Sequence, residues 1–275
     1  MMELRYMGTG AAEGIPATFC ACPVCREAAR RGGREIRTRS QALLDGKILF
    51  DFPPDSYAHY LAYRFDLPAI EHVLVTHSHM DHFFPQEFEL RSAGFVREPP
   101  PLLHVYGSEK VEQVLLAALP QGDLGRHRLV FHLLRSFEKI DAGGYAVTPL
   151  SARHDPSERC LFYLVERGDT ALLYAHDTGI FPAETWDHLR AAKPRLDLVS
   201  LDCTMAAFKD GNNHMGLPDV VLVREKLLEM GLAGESTVFV LNHFSHNGGL
   251  NHRELCEKAR DLGFDTAWDG MNAVF

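Results

Sequence analysis

The chain has 275 residues, 46% of them hydrophobic and 24% charged, and a formal net charge of −9. These values describe an ordinary globular protein with a full core and no low-complexity tract. The acidic balance argues against nucleic acid as a partner, although a basic patch or a metal pair can still hold an anion.

Met1–Gly8 carries Glu3 and Arg5 and has no apolar signal-peptide core, and no apolar run is long enough to span a bilayer. A cytoplasmic protein without membrane partners is expected, its six cysteines reduced. Leu4–Met7 predicts a strand leading into the Gly8-Thr-Gly10…Gly14 loop, where glycine gives a tight turn its freedom. Ile15-Pro16 follows, rather than the amphipathic helix a dinucleotide loop needs. Cys20, Cys22 and Cys25 are too crowded for a natural disulfide pattern, and argue for a metal. Three thiols need one further ligand to close a tetrahedral shell. Cys160, Cys203 and Cys256 stand alone and are expected to be buried structural thiols. A helix over 26–31 opens a basic stretch, Arg26, Arg30, Arg31, Arg34, Arg37 and Arg39, expected to form a solvated face.

Asp45-Gly46 between the apolar runs 40–44 and 47–50 predicts a two-residue hairpin. A helix over 55–65, with Asp55 as its cap, follows Asp51-Phe-Pro-Pro54. Next comes V-L-V-T-H-S-H-M-D-H, residues 73–82. Its apolar β-branched start predicts a buried strand. It stops at four residues of metal-ligand type, His77, His79, Asp81 and His82. On extended backbone His77 and His79 point the same way, whereas adjacent Asp81 and His82 aim apart and suit a second metal position. Imidazole and carboxylate donors suit zinc, manganese or iron.

Helices are expected at 85–92 and, capped by Ser108, at 108–119, with a strand at 102–106 between them and a polar turn at 121–127. Consecutive strands at 129–134, 145–150, 161–165 and 171–175 are expected to form a second sheet. Helix 183–192, strand 196–201, helix 218–230, strand 237–241, helix 251–262 and a strand at 266–268 complete the chain. No linker or repeat interrupts it, so 1–275 reads as one domain with an N-terminal knuckle at 20–25. Further candidate ligands follow predicted strands: His154, Asp177 and His243. His176 should face away from its neighbour Asp177. Asp51, ending the hairpin strand, is placed to orient a histidine.

The H-x-H-x-D-H run 77–82 resembles the signature of the metallo-β-lactamase superfamily. The resemblance implies an αββα sandwich of two mixed β-sheets flanked by helices, with a binuclear metal site at one edge. It implies that His77, His79 and His154 hold one metal, that Asp81, His82 and His243 hold the other, and that Asp177 bridges them. Two such cations lower the pKa of a bridging water, making hydroxide available near neutrality.

Three further features are similar to the phosphodiesterase of the carbon–phosphorus lyase (phosphonate) pathway, which opens phosphoribosyl 1,2-cyclic phosphate. They are Gly8-Thr-Gly10…Gly14-Ile-Pro16 with Cys20-x-Cys22-x-x-Cys25, Leu201-Asp-Cys-Thr204 with Asn213-His214, and His243-Phe-Ser-His246 with Asp269-Gly-Met271. This resemblance implies a structural zinc on Cys20, Cys22, Cys25 and His246. It implies His214 as an active-site group outside the metal shell, assisting departure of the leaving oxygen. The function so implied is hydrolysis of a small cyclic phosphodiester by a metal-bridging hydroxide, with Asp81 and His214 as catalytic residues. The apolar segment Met205–Phe208 departs from what a phosphate pocket wants and leaves the substrate open. A lactonase or thioesterase on the same fold, and a metal-bound sensor or biosynthetic binding protein, are the alternatives. The oligomeric state is left open, a homodimer included.

Overall fold

A computed structural model describes residues 1–275. Two seven-stranded sheets pack face to face. The first contains β1 (Glu3–Gly8), β2 (Gln41–Leu44), β3 (Ile48–Phe50), β4 (His72–Leu74), β5 (Leu103–Gly107) and β6 (Leu129–Leu133) in sequence order. The second contains β7 (Ile140–Ala142), β8 (Tyr145–Ser151), β9 (Leu161–Arg167), β10 (Thr170–Ala175), β11 (Leu198–Asp202), β12 (Val238–Asn242) and β13 (Asp265–Thr266). A last strand, β14 (Asn272–Val274), returns to the first sheet and pairs antiparallel with β1. Both sheets are mixed: hairpins build one half, and β3–β6 and β10–β13 run parallel.

Helices cover the outer faces: α1 (Pro23–Arg31), α2 (Ser56–Tyr63), α3 (Glu109–Ala118), α4 (Ala183–Ala192), α5 (Leu217–Glu229) and α6 (His252–Asp261). Parallel strands covered on both faces read as unbroken apolar runs rather than alternating ones. Around β4, for example, Val73 and Val75 pack outward with Val111 and Leu115 of α3, while Leu74 packs inward. The inward layer joins the sheets through Tyr6, Phe50, Tyr163 and Tyr174, with Phe50 and Tyr174 stacked at 4.1 Å. On the far face, Trp186 and Leu189 of α4, Val220 and Val223 of α5 and Leu255 of α6 pack against β10–β12. No helix is long and apolar enough to cross a membrane.

Several local expectations are corrected. Strand 129–133 belongs to the first sheet, as its parallel edge beside β5, so the second sheet begins one strand later. The short β7 and β14 were not legible, because each is held by pairing with a neighbour rather than by a pattern of its own. Residues 85–91 form a 3₁₀ stretch, not an α-helix. Asp55 sits at the start of α2 but makes no capping bond, because its carboxylate accepts from Arg39 instead. Arg37 leaves the solvated face: it is buried, and donates to Thr9 Oγ1 at 2.7 Å and to the Ala267 carbonyl at 2.8 Å. Cys160 and Cys203 are buried, whereas Cys256 is only half-buried, beside His252. Asp45 and Gly46 both take positive φ and turn the chain, but Leu44 pairs with Ile48, so the hairpin has three connecting residues rather than two.

Candidate metal centre

The carboxyl ends of β3, β4, β8, β10, β11 and β12 converge at one edge of the sandwich and deliver the chemistry. Asp51 follows β3, residues 77–82 follow β4, His154 follows β8, Asp177 follows β10, Asp202 closes β11 and His243 follows β12. Asp51, Asp177 and His243 all take positive φ, at 64°, 50° and 61°. Side chains bearing a Cβ pay about 1–3 kcal/mol in that region, and such strain clusters at functional sites. Here each turned-back residue sends its side chain into the same cluster.

Two overlapping sets form the centre of the cluster, and Asp202 and His214 gather beside them around Asp177 and His243. Donor atoms of His77, His79, His154 and Asp177 lie within 4.8 Å of one another, as do those of Asp81, His82, Asp177 and His243. Asp177 belongs to both: its Oδ2 is 2.8 Å from His82 Nε2, 3.4 Å from His77 Nε2 and 3.7 Å from His154 Nε2. Within the first set His154 Nε2 lies 3.2 Å from His79 Nδ1, and within the second His82 Nε2 lies 3.1 Å from His243 Nε2.

Each imidazole turns one nitrogen into the cluster and has the other fixed from outside. His82 Nδ1 donates to Asp51 Oδ2 at 2.7 Å, and His79 Nε2 faces Asp155 Oδ2 at 3.1 Å. His77 Nδ1 meets Thr76 Oγ1, His154 Nδ1 meets the Asn213 carbonyl, and His243 Nδ1 meets Thr204 Oγ1. Metal-binding histidines are held in this way, which fixes tautomer and ring orientation. Two buried atoms in the cluster, His77 Nε2 and Asp177 Oδ1, have no hydrogen-bond partner. Buried polar groups are rarely left so, and a cation at each set would satisfy them. The donors therefore fit a pair of divalent ions.

Electrostatics follow from the crowding. Burial pushes His77 well below the usual imidazole value, and neighbouring His82 adds to this. Burial opposes charge on His82, but the carboxylates of Asp81, Asp51 and Asp177 outweigh it and raise the ring well above the usual imidazole value. Burial would raise Asp177, yet His243 and His82 keep it well below the carboxylate range. The same balance depresses Asp81, where His82 dominates.

His214, on the loop before α5, joins the edge from the side. Its Nδ1 lies 3.1 Å from Asp177 Oδ1 and 3.3 Å from Asp202 Oδ2. Burial disfavours its charge, but the two carboxylates prevail and push it up to about 11. Asp202 was missed as a site residue. It is fully buried and accepts from His214 Nδ1, from the amide and hydroxyl of Thr204 and from the Met215 amide. The available signal was an acid closing a buried, mostly apolar strand, Leu198–Asp202. Asp155 was missed too, since nothing in its polar turn distinguishes it. His176 does face away: its Nε2 bonds Ser200 Oγ at 2.7 Å inside the core. A cavity of about 310 Å³ opens over the cluster, walled by His79, Asp81, His154, Asp177 and His214.

A second cluster lies beside this edge. Donor atoms of Cys20, Cys22, Cys25 and His246 gather within 4.8 Å, with His246 Nδ1 3.6 Å from Cys20 Sγ and 3.5 Å from Cys22 Sγ. Cys22 caps α1, accepting from the Cys25 amide. Burial works against its thiolate, but the Cys25 amide and His246 lower it to about 6. Burial raises Cys25 to about 12. All six cysteines are free of disulfides.

Residues 47–244 match the model of the β-lactamase superfamily domain. The chain belongs to that superfamily, and the two mixed sheets with outer helices are its αββα fold. Within it, the structure is similar to a diphosphatase of the PhnP family, at 25% identity and a TM-score of 0.74, covering 100% of this chain and 98% of that one. Coenzyme PQQ synthesis protein B of Methylococcus capsulatus is 25% identical over 99% of this chain and 100% of its own length. An octanoyltransferase of Porphyromonas gingivalis is 33% identical over 114 residues, which are 40% of this chain and 21% of that protein. The chain thus spans about a fifth of that relative.

Proposed function

We propose that the protein is a metal-dependent phosphodiesterase that hydrolyses a small cyclic phosphate, of which a phosphoribosyl cyclic phosphate is the type. The observation that carries this is the pair of ligand sets sharing Asp177, with His214 set against the same carboxylate across the cavity. The PhnP-family likeness supports phosphorus as the centre attacked.

His77, His79 and His154 would hold one divalent ion, Asp81, His82 and His243 the other, with Asp177 between them. Such a pair, zinc, manganese or iron, neutralises charge on the phosphate oxygens and lowers the pKa of water. Asp51, Thr76, Thr204 and Asp155 keep the imidazoles turned inward. As water adds to phosphorus, the bond to the sugar oxygen breaks and that oxygen needs a proton. His214 supplies it from Nε2, since Nδ1 is engaged by Asp202. Asp202 keeps the ring charged and aimed. Cys20, Cys22, Cys25 and His246 would hold a closed structural zinc that staples the N-terminal loop to the edge.

Turnover of ribose cyclic phosphates and bis(p-nitrophenyl) phosphate by metal-loaded protein tests this, beside matched lactones and thioesters. Carbonyl substrates alone being cleaved would transfer the same machinery to a lactonase or thioesterase. The full-length likeness to a coenzyme synthesis protein supports a second reading, a biosynthetic protein without esterase activity. Metal-loaded protein inert on the whole panel would favour it.

A further inference from the structure

We propose that Glu13 sets the charge selectivity of the candidate active site, favouring substrates that bring one negative charge over those ending in a dianionic phosphate. The proposal rests on the phosphodiesterase reading above.

Glu13 sits on the loop between β1 and α1. That loop is tied on both sides, by the Gly10 amide to the Thr38 carbonyl at 2.7 Å and by the Ala11 amide to the Phe244 carbonyl at 2.9 Å. Gly14, at φ 67°, turns the chain directly after it. The Glu13 carboxylate accepts a hydrogen bond from Ser245 Oγ and lies 3.5 Å from His246 Nε2. Ser245 Oγ is itself fixed, accepting from the Asn247 amide at 3.0 Å. The carboxylate is therefore held in place on the wall of the catalytic cavity rather than swinging in solvent.

The charged side chains on that wall are acids and imidazoles: Glu13, Asp81 and Asp177 with His79, His154 and His214. Asp81 and Asp177 are turned toward the metal sets, which leaves Glu13 as the carboxylate facing the rest of the substrate. A fixed, partly buried charge is poorly screened by salt and repels a second like charge near it. A diester carries one charge, whereas a monoester carries nearly two above its second pKa of about 6.

The test uses the full-length, metal-loaded chain and Glu13→Gln, whose amide keeps an oxygen acceptor for Ser245. Two readouts are kcat/KM for bis(p-nitrophenyl) phosphate against p-nitrophenyl phosphate at pH 8, and the affinity for inorganic phosphate by calorimetry. In Glu13→Gln the diester-to-monoester ratio should fall about tenfold and phosphate should bind about tenfold tighter. An unchanged ratio overturns the proposal, and so does an unchanged phosphate affinity, whatever the esters do. Equal losses on both esters, with zinc falling away from the cysteine cluster, would assign Glu13 to His246 alone and also overturn it. Wild type inactive on both esters, with phosphate still bound more tightly by the variant, would sink the phosphodiesterase reading and leave the charge selectivity standing.

Discussion

The two clusters lie side by side and share a carboxylate neighbour, yet they are built differently. The histidine–aspartate cluster is assembled from six strand ends of both sheets, three of its residues at positive φ, and faces a cavity of about 310 Å³. The cysteine cluster takes three ligands from six consecutive residues and the fourth from the loop after β12. An open set of donors with a spare carboxylate suits exchange of substrate and solvent, whereas a closed thiolate shell suits stapling. Local strain thus gathers at the open cluster, whereas consecutive sequence supplies most of the other.

The sharpest way to break that division is to damage each cluster and ask what is lost. Asp177→Asn removes the charge common to both ligand sets, and kcat/KM should fall by at least about 10³-fold, while thermal unfolding still shows a folded protein retaining its thiolate-bound zinc. Cys22→Ser should act the other way. It should release one zinc per chain and lower Tm by about 10 °C in calorimetry, with activity lost only as far as the fold is lost. Equal loss of folding from both changes would erase the distinction.

A finer cut concerns the proton donor. Asp202→Asn removes the charged acceptor of His214 and should cost about 10–100-fold in activity. His214 is raised to about 11 by its two carboxylates, so the protonated, active form is present at low pH and lost as pH rises through that value. Losing one carboxylate lowers the pKa, so the alkaline limb of the pH–rate profile should move toward neutrality. An unmoved limb would separate His214 from proton transfer. The smallest effect is expected at Asp155, whose contact with His79 is partly open to solvent, with side chains 27% and 40% exposed. Asp155→Asn should lower activity by about tenfold or less, as metal titration of activity would show.

Much of this was legible beforehand. Residues 73–82 announce both a buried strand and its ligands, because a parallel strand covered on both faces is apolar until the chain leaves the sheet. The strand-end positions of His154, Asp177 and His243 were readable for the same reason. Asp202 was not, since a lone acid after an apolar run says nothing of the four donors it accepts from until β11 and the loop before α5 are brought together. Arg37 is buried and not on the solvated face its neighbours suggest, because its partners Thr9 and Ala267 come from near the two ends of the chain. Strand 129–133 joins the first sheet beside β5, which its pattern does not reveal, because pattern shows that a strand exists but not which neighbour it takes.

Counting metals tests the central claim most directly. Elemental analysis of purified protein should find three ions per chain, two removed by a chelator together with all esterase activity and restored with it, and one zinc retained until the thiols are modified. A chain that carries no ions in the histidine–aspartate cluster, or that keeps its full rate after chelation has emptied it, would contradict the account.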